Sequence, residues 1–253
     1  MAENYPPGAP PVPPTPPVPP SMQPPGTVPP PPAGGEPVAA PLPWEQPGYP
    51  ALEGLYETAK LVLTSPSQAF ARMSLTGSLG RPLLYAVIFG WVGMIAGQAY
   101  NIAFRSAMQN LLPGMNRGFH IPLAVNITLM VLAPIFVLIG VFVWSAILHL
   151  FLMLAGGAKT GFASTVRVVC YAGTVQVFQI VPFCGGLIGF VWALFLYIVG
   201  LAAAHRTTQG KAALAVLLPV VLCCVCVAVI AVAFGAAIMA AVGHFGHLGQ
   251  FGR

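Results

Sequence analysis

The chain has 253 residues, of which 57% are hydrophobic and only 6% charged, with a formal net charge of +5. A water-exposed surface ordinarily draws on about a quarter charged residues, so lipid must cover most of the folded part. The ten Lys and Arg are scattered and form no run, which argues against a nucleic-acid partner.

The five acids are Glu3, Glu36, Glu45, Glu53 and Glu57; there is no Asp, and no carboxylate side chain follows Glu57. Cys170, Cys184, Cys223, Cys224 and Cys226 all lie in or between apolar blocks. They imply no disulfide-stapled domain.

Residues 1–50 hold 21 of the 28 prolines, including PPVPPTPPVPP at 10–20 and PPPP at 29–32. Such a stretch has too few apolar side chains and backbone donors to build a core, and reads as a disordered, polyproline II-sampling tail. It has neither the basic start nor the apolar centre of a secretory signal. Its PxxP spacings suit the aromatic groove of a cytoplasmic partner, but no Arg or Lys lies in the first 50 residues to set an orientation. A solubilising spacer is the competing reading.

Residues 51–82 read as an amphipathic segment lying in the membrane interface. Leu52, Leu55, Tyr56, Ala59 and Leu63 recur at helical spacing, with Glu53, Glu57 and Lys60 off that stripe. Ser65 reads as an N-cap and Pro66 as the first residue of a second short helix through Phe70 and Met73.

Four uncharged apolar blocks follow. Residues 83–104 suffice for one crossing at about 20 residues each. Residues 123–155, with Pro134 inside, read as one long or kinked span, and 212–242, with Pro219 near its start, as the last. The block 168–204 is too long for one crossing and is broken by Pro182, Gly185 and Gly186. It reads as two spans in a hairpin, 163–181 and 187–204, with a re-entrant loop as the alternative. Arg167 then falls one turn inside and is expected to snorkel to the headgroups.

Charge asymmetry favours five spans. Five place Lys60, Arg72, Arg81, Lys159, Arg167, Arg206 and Lys211 on one side against Arg105, Arg117 and Arg253. Four spans even the split to six against four. The expected fold is therefore all-α integral membrane, with five transmembrane helices, a cytoplasmic N-terminus and a short tail at 243–253.

In order along 52–220, the chain resembles the Ypt-interacting protein (Yip) domain family of five-span membrane proteins. The matching pieces are the Pro66 to Phe70 segment, Arg81-Pro82 before the first span, YAGTVQVFQIVPFCGGLIGFVWALFLYIVGL at 171–201 and HRTTQGKAALAVLLP at 205–219. The resemblance implies an all-helical fold, a cytoplasmic N-terminus and no known catalytic site. Eukaryotic members are linked to Rab-type GTPases and vesicle traffic. The acidic Asp-Leu-Tyr-Gly-Pro type segment of those members is missing here. The Ala/Gly/Val-rich composition suggests a bacterial member of the cytoplasmic (inner) membrane.

The candidate chemistry is sparse. Ser145 and His149 share a helical face, but no glycine elbow precedes the serine, so the pair reads as packing with a satisfied histidine. Cys223, Cys224 and Cys226 lack the spacing of a zinc site and read as packing residues, while His244 and His247 are too few for one. No metal or cofactor is expected. Gln98 and Asn101, Asn126, His149, and Gln176 and Gln179 are candidates for interhelical contacts or a polar groove. Gly93 and Gly97, and Gly185 and Gly189, have the GxxxG spacing of close helix approach, within the chain or in a homo-oligomer. The expected function is a non-enzymatic membrane adaptor or organiser, working with other membrane proteins in the bilayer. The alternative is a small transporter or channel subunit with a polar path near Gln176 and Gln179.

Overall fold

The structure, a computed structural model, describes residues 40–111 and 122–248; side chains are described as far as Ala236, except in stretches flanking 112–121. The first 39 residues, Arg117 and the last five residues lie outside it. A 3₁₀ turn, Pro43–Glu45, precedes α1 (Ala51–Thr64), α2 (Pro66–Arg72), α3 (Gly80–Leu111), α4 (Leu123–Leu154) and α5 (Phe162–Ala172). A 3₁₀ segment, Gly173–Ile180, continues α5 directly, and α6 (Gly185–Ala204) and α7 (Gln209–Leu248) complete the chain. No strand occurs among the described residues.

Four of these helices are long and apolar enough to cross a membrane: Gly80–Phe104, Ala124–Leu154, Gly185–Ala204 and Gln209–Ala236. Their outer faces are apolar, with Val131 69%, Leu154 73% and Val232 73% exposed. Such faces are stable only against lipid, and the chain is a multi-pass integral membrane protein.

At the centre stands α5, where every residue from Ser164 to Ala172 is buried. It packs against α3, α4 and α6, while α7 lies against α4 and α6. Three close approaches depend on glycine. A Cβ at Gly200 would lie 2.6 Å from Val168 Cγ1 and 3.0 Å from the Phe70 ring, so α2 and α5 share that gap in α6. A Cβ at Gly90 would meet Val137 at 2.7 Å, and one at Gly185 would overlap the Phe178 carbonyl.

Pro134 sits inside α4. It has no N–H to give the carbonyl one turn back, that of Met130. The Trp91 indole N–H of α3 donates to that carbonyl at 3.2 Å. In hydrocarbon no water can supply the missing bond, so the helix–helix contact does.

Several expectations are corrected. Residues 40–50, expected to belong to the tail, carry a 3₁₀ turn at Pro43–Glu45 and bond to α1, α3 and α5. Residues 40–50 are proline-rich like the stretch before them, but Trp44 and Glu45 give them contacts. On α1 the protein-facing stripe is Gly54, Thr58 and Val62, small residues that let the helix approach closely. Of the apolar stripe, Leu52 is 83% and Tyr56 64% exposed, while Leu55 packs on the core. Ser65 occupies the N-cap of α2 with Pro66 at N1, but its side chain makes no capping bond. The hairpin turn is Val181–Cys184, with Phe183 in the left-handed region at φ 65°, while Gly185 and Gly186 already belong to α6.

Candidate functional site

Three polar constellations interrupt the apolar bundle. The first clamps the segment before α1 onto the membrane domain. Arg167 of α5 is 2% exposed in its side chain and approaches Glu45 at 3.9 Å. One guanidinium nitrogen of Arg167 also faces three carbonyls of the α2–α3 loop, Thr76 at 2.9 Å, Gly77 at 2.6 Å and Ser78 at 3.2 Å. Glu45 accepts from the Tyr171 hydroxyl and from the Ser74 amide, each at 2.8 Å. A buried charge is tolerated only when paired and bonded, and here both charges are. The expected snorkelling of Arg167 is thus corrected: the loop carbonyls and Glu45 replace the headgroups.

Further bonds fasten the same segment. The Trp44 indole N–H donates to the Arg81 carbonyl at 2.8 Å, and Arg81 donates back to the carbonyls of Trp44 and Gln46 at 3.0 and 2.9 Å. The Trp44 amide donates to Thr58 Oγ1 at 3.0 Å, and Arg72 donates to the Ala40 carbonyl at 2.7 Å. Tyr85 sits between the Trp44 ring at 6.1 Å and the Tyr171 ring at 5.0 Å. Thr174 gives its proton to the Tyr171 carbonyl, so Tyr85 is the donor in the 2.7 Å Tyr85–Thr174 bond.

The second constellation joins the ends of α4 and α6. His205, fully buried at the C-cap of α6, receives the Thr160 amide N–H at Nδ1 (3.3 Å), so its ring proton sits on Nε2. Nε2 donates to Thr165 Oγ1 at 2.8 Å, and Thr165 donates to His149 Nδ1 at 2.9 Å. Burial pushes the His205 imidazole down to about 4, and His149 beside it adds to the shift. Nearby, Lys159 donates to the Arg206 carbonyl at 3.1 Å and Lys211 to the Gly156 carbonyl at 3.0 Å. Each lysine meets the carbonyl end of the other loop's helix, where cations are favoured.

The third is a cleft of about 760 Å³ between α3, α4, the 3₁₀ segment and α6. It brings together four of the expected amides, Gln98, Asn101, Gln176 and Gln179. The 3₁₀ geometry aligns the last two. At three residues per turn, Gly173, Gln176 and Gln179 stack on one face, and all three line the cleft. An α-helix would turn Gln179 about 120° away from Gly173. At the cleft's rim Gln98 Nε2 donates to Asn126 Oδ1 at 3.2 Å.

The remaining candidates separate from this group. His149 lies about 34 Å along α4 from Asn126 and belongs to the histidine network instead. Ser145 is buried but has no hydrogen bond to His149. Of the packing glycines, Gly93 meets Gln176 at 3.0 Å, and Gly185 and Gly189 meet the 3₁₀ backbone, Gly189 at 3.3 Å from the Val175 carbonyl. Gly97 packs against nothing and faces the cleft. Cys223, Cys224 and Cys226 are exposed on α7 rather than packed. The side chains of His244 and His247 lie outside the described set. Sequence reasoning missed His205, which sits in a loop with no apolar periodicity around it, and Glu45, hidden among prolines.

A family model for the Yip1 domain matches residues 60–231. The chain belongs to the Yip1 domain family. The matched stretch begins within α1 and ends within α7, so it holds Arg167, the histidine network and the whole cleft. In this Yip1-domain chain Glu45 and Trp44, the N-terminal half of the clamp, fall before the match. No curated protein and no solved structure matches the chain.

Proposed function

We propose that the protein is a non-enzymatic, five-crossing membrane adaptor whose N-terminal proline-rich stretch is held at the cytoplasmic face. The clamp carries this reading. Glu45, Trp44 and Arg72 fix residues 40–46 on the bundle, so a partner of the preceding 39 residues is recruited to one defined point. The proline spacings directly upstream suit a polyproline-reading groove.

The fifth crossing is α5 with its 3₁₀ continuation. Eleven α-helical residues rise about 16 Å and eight 3₁₀ residues about 16 Å, together about 32 Å against a hydrocarbon core of about 30 Å. The Tyr100 hydroxyl, about 30 Å along α3 from Gly80, donates to the Ile180 carbonyl, which supports a hairpin reaching the far side. The α4–α5 and α6–α7 loops join through Lys159 and Lys211 at the end that carries Arg167. That end gathers the Lys and Arg excess, the mark of a cytoplasmic side. Leu52 and Tyr56, exposed on α1, suit the interface there. No carboxylate side chain follows Glu57, and Glu45 is engaged by Arg167, Tyr171 and Ser74, so the described lining of the cleft offers no acid for proton transfer.

In-cell crosslinking followed by mass spectrometry, on the full chain and on a chain lacking residues 1–39, tests the role. The proposal expects a soluble partner captured by the full chain and lost from the truncated one. An identical set of captured proteins would refute it.

A further inference from the structure

We propose that the cleft between α3, α4, the 3₁₀ segment and α6 is a binding site for one bilayer glycerolipid, its ester region on the amides and one acyl chain along the floor. The argument is from depth, polarity and charge. Measured from the Arg167 end, Gln98 and Asn101 lie about 27 and 31 Å along α3. Gln176 and Gln179 lie about 24 and 30 Å along α5 and its continuation. All four therefore sit near the boundary of the opposite leaflet, at the level of the lipid ester carbonyls. Amide N–H groups there donate to carbonyl oxygens.

Toward the bilayer centre the wall turns largely apolar, with Met94, Phe136, Val137 and Gly140, and it ends at the rings of Trp144 and Tyr197. The order from rim to floor thus matches the order along a lipid, from ester to chain. Gly97 and Gly140 have nothing within 4 Å of an added Cβ, so they leave the cleft open where bulkier residues would fill it. Among the described residues, no charged side chain lines it. The site therefore reads the uncharged ester region and is indifferent to headgroup charge. A charged headgroup would find no counter-ion among these described residues. The 3₁₀ segment is the device that makes the site, because only that geometry puts Gln176 and Gln179 on one face with Gly173. Runs of eight 3₁₀ residues are uncommon.

The test uses the full chain in liposomes with two probes, phosphatidylcholine and phosphatidylglycerol, each with a diazirine midway along one acyl chain. Labelled residues are mapped by mass spectrometry. The expected result is labelling concentrated on Met94 and Phe136 over lipid-facing Val232, alike for both probes. Gln176→Leu with Gln179→Leu should cut cleft labelling about tenfold, the worth of two lost hydrogen bonds. Gly97→Phe with Gly140→Phe should do the same by filling the space. Size-exclusion profiles show whether each variant is folded, and the amide pair stands as the test if the filled one is not. Labelling no denser in the cleft than on α7 would overturn the proposal. So would folded variants that label unchanged, strong preference for phosphatidylglycerol, or crosslinks from a second copy through the cleft.

Discussion

Glu45, six residues before α1, reaches to within 3.9 Å of Arg167, which is buried in the central helix of the bundle. Removing one partner of a buried pair leaves the other charge uncompensated, typically at a cost of about 3–5 kcal/mol. Arg167 keeps its three loop carbonyls, so Glu45→Ala should cost about 3 kcal/mol and free residues 40–50 for proteolysis. Thermal unfolding in detergent and limited chymotrypsin digestion at Trp44 read both effects. Glu45→Gln, which keeps one acceptor for Tyr171 or Ser74, should lose less.

Trp91 and Pro134 should be coupled. Trp91→Phe leaves the Met130 carbonyl without a donor inside the bilayer, at a cost of about 1–2 kcal/mol. In a Pro134→Ala background the helix supplies its own N–H, and the same Trp91→Phe change should cost much less. A double-mutant cycle by unfolding measures the difference, and additive effects would mean that the indole bond does not stand in for the N–H that Pro134 lacks.

Glycines of the same spacing should respond oppositely. Gly185→Ala places a methyl into the Phe178 carbonyl and should destabilise the hairpin by about 2 kcal/mol or more. Gly97→Ala meets no atom within 4 Å and should be nearly neutral or slightly stabilising. Paired melting curves decide this.

His205 should make stability depend on pH. Its folded-state value is pushed down to about 4, below the ordinary 6.5, so the unfolded chain binds the extra proton first. Stability is then full above pH 6.5 and is lost as pH falls from 6.5 toward 4, levelling below that. Around His205 stand His149 from α4, Thr165 from α5 and Thr160 from the α4–α5 loop, with Lys159 and Lys211 at the same end. None of these is an acid that could hold an imidazolium. Melting temperature against pH checks the slope, and His205→Gln should flatten it.

Membrane-crossing segments were largely legible because length and apolarity suffice to find them: 123–155 was expected and Leu123–Leu154 is observed. What composition cannot encode was less legible. Gln176 and Gln179 at spacing three read as one helical turn, and nothing in GTVQVFQI distinguishes 3₁₀ from α. The clamp was missed because PLPWEQPGYP looks like the preceding prolines, although Trp44 and Glu45 bond to residues tens of positions away. The packing face of α1 was not legible because Gly54 and Thr58, small residues outside the apolar stripe, are the ones buried against the protein.

The account depends most on the α5–3₁₀ and α6 hairpin crossing the whole bilayer, since this supplies the fifth crossing and sets the Val181–Cys184 turn on the side opposite the clamp. Cys184, exposed at the hairpin turn, is a native reporter of it. A variant retaining only Cys184 and a cysteine-free variant carrying Thr208→Cys can be labelled in intact cells with a membrane-impermeant maleimide, before and after permeabilisation. The account predicts that Cys184 is labelled from outside and position 208 only after permeabilisation. Labelling of both from the same side would contradict it.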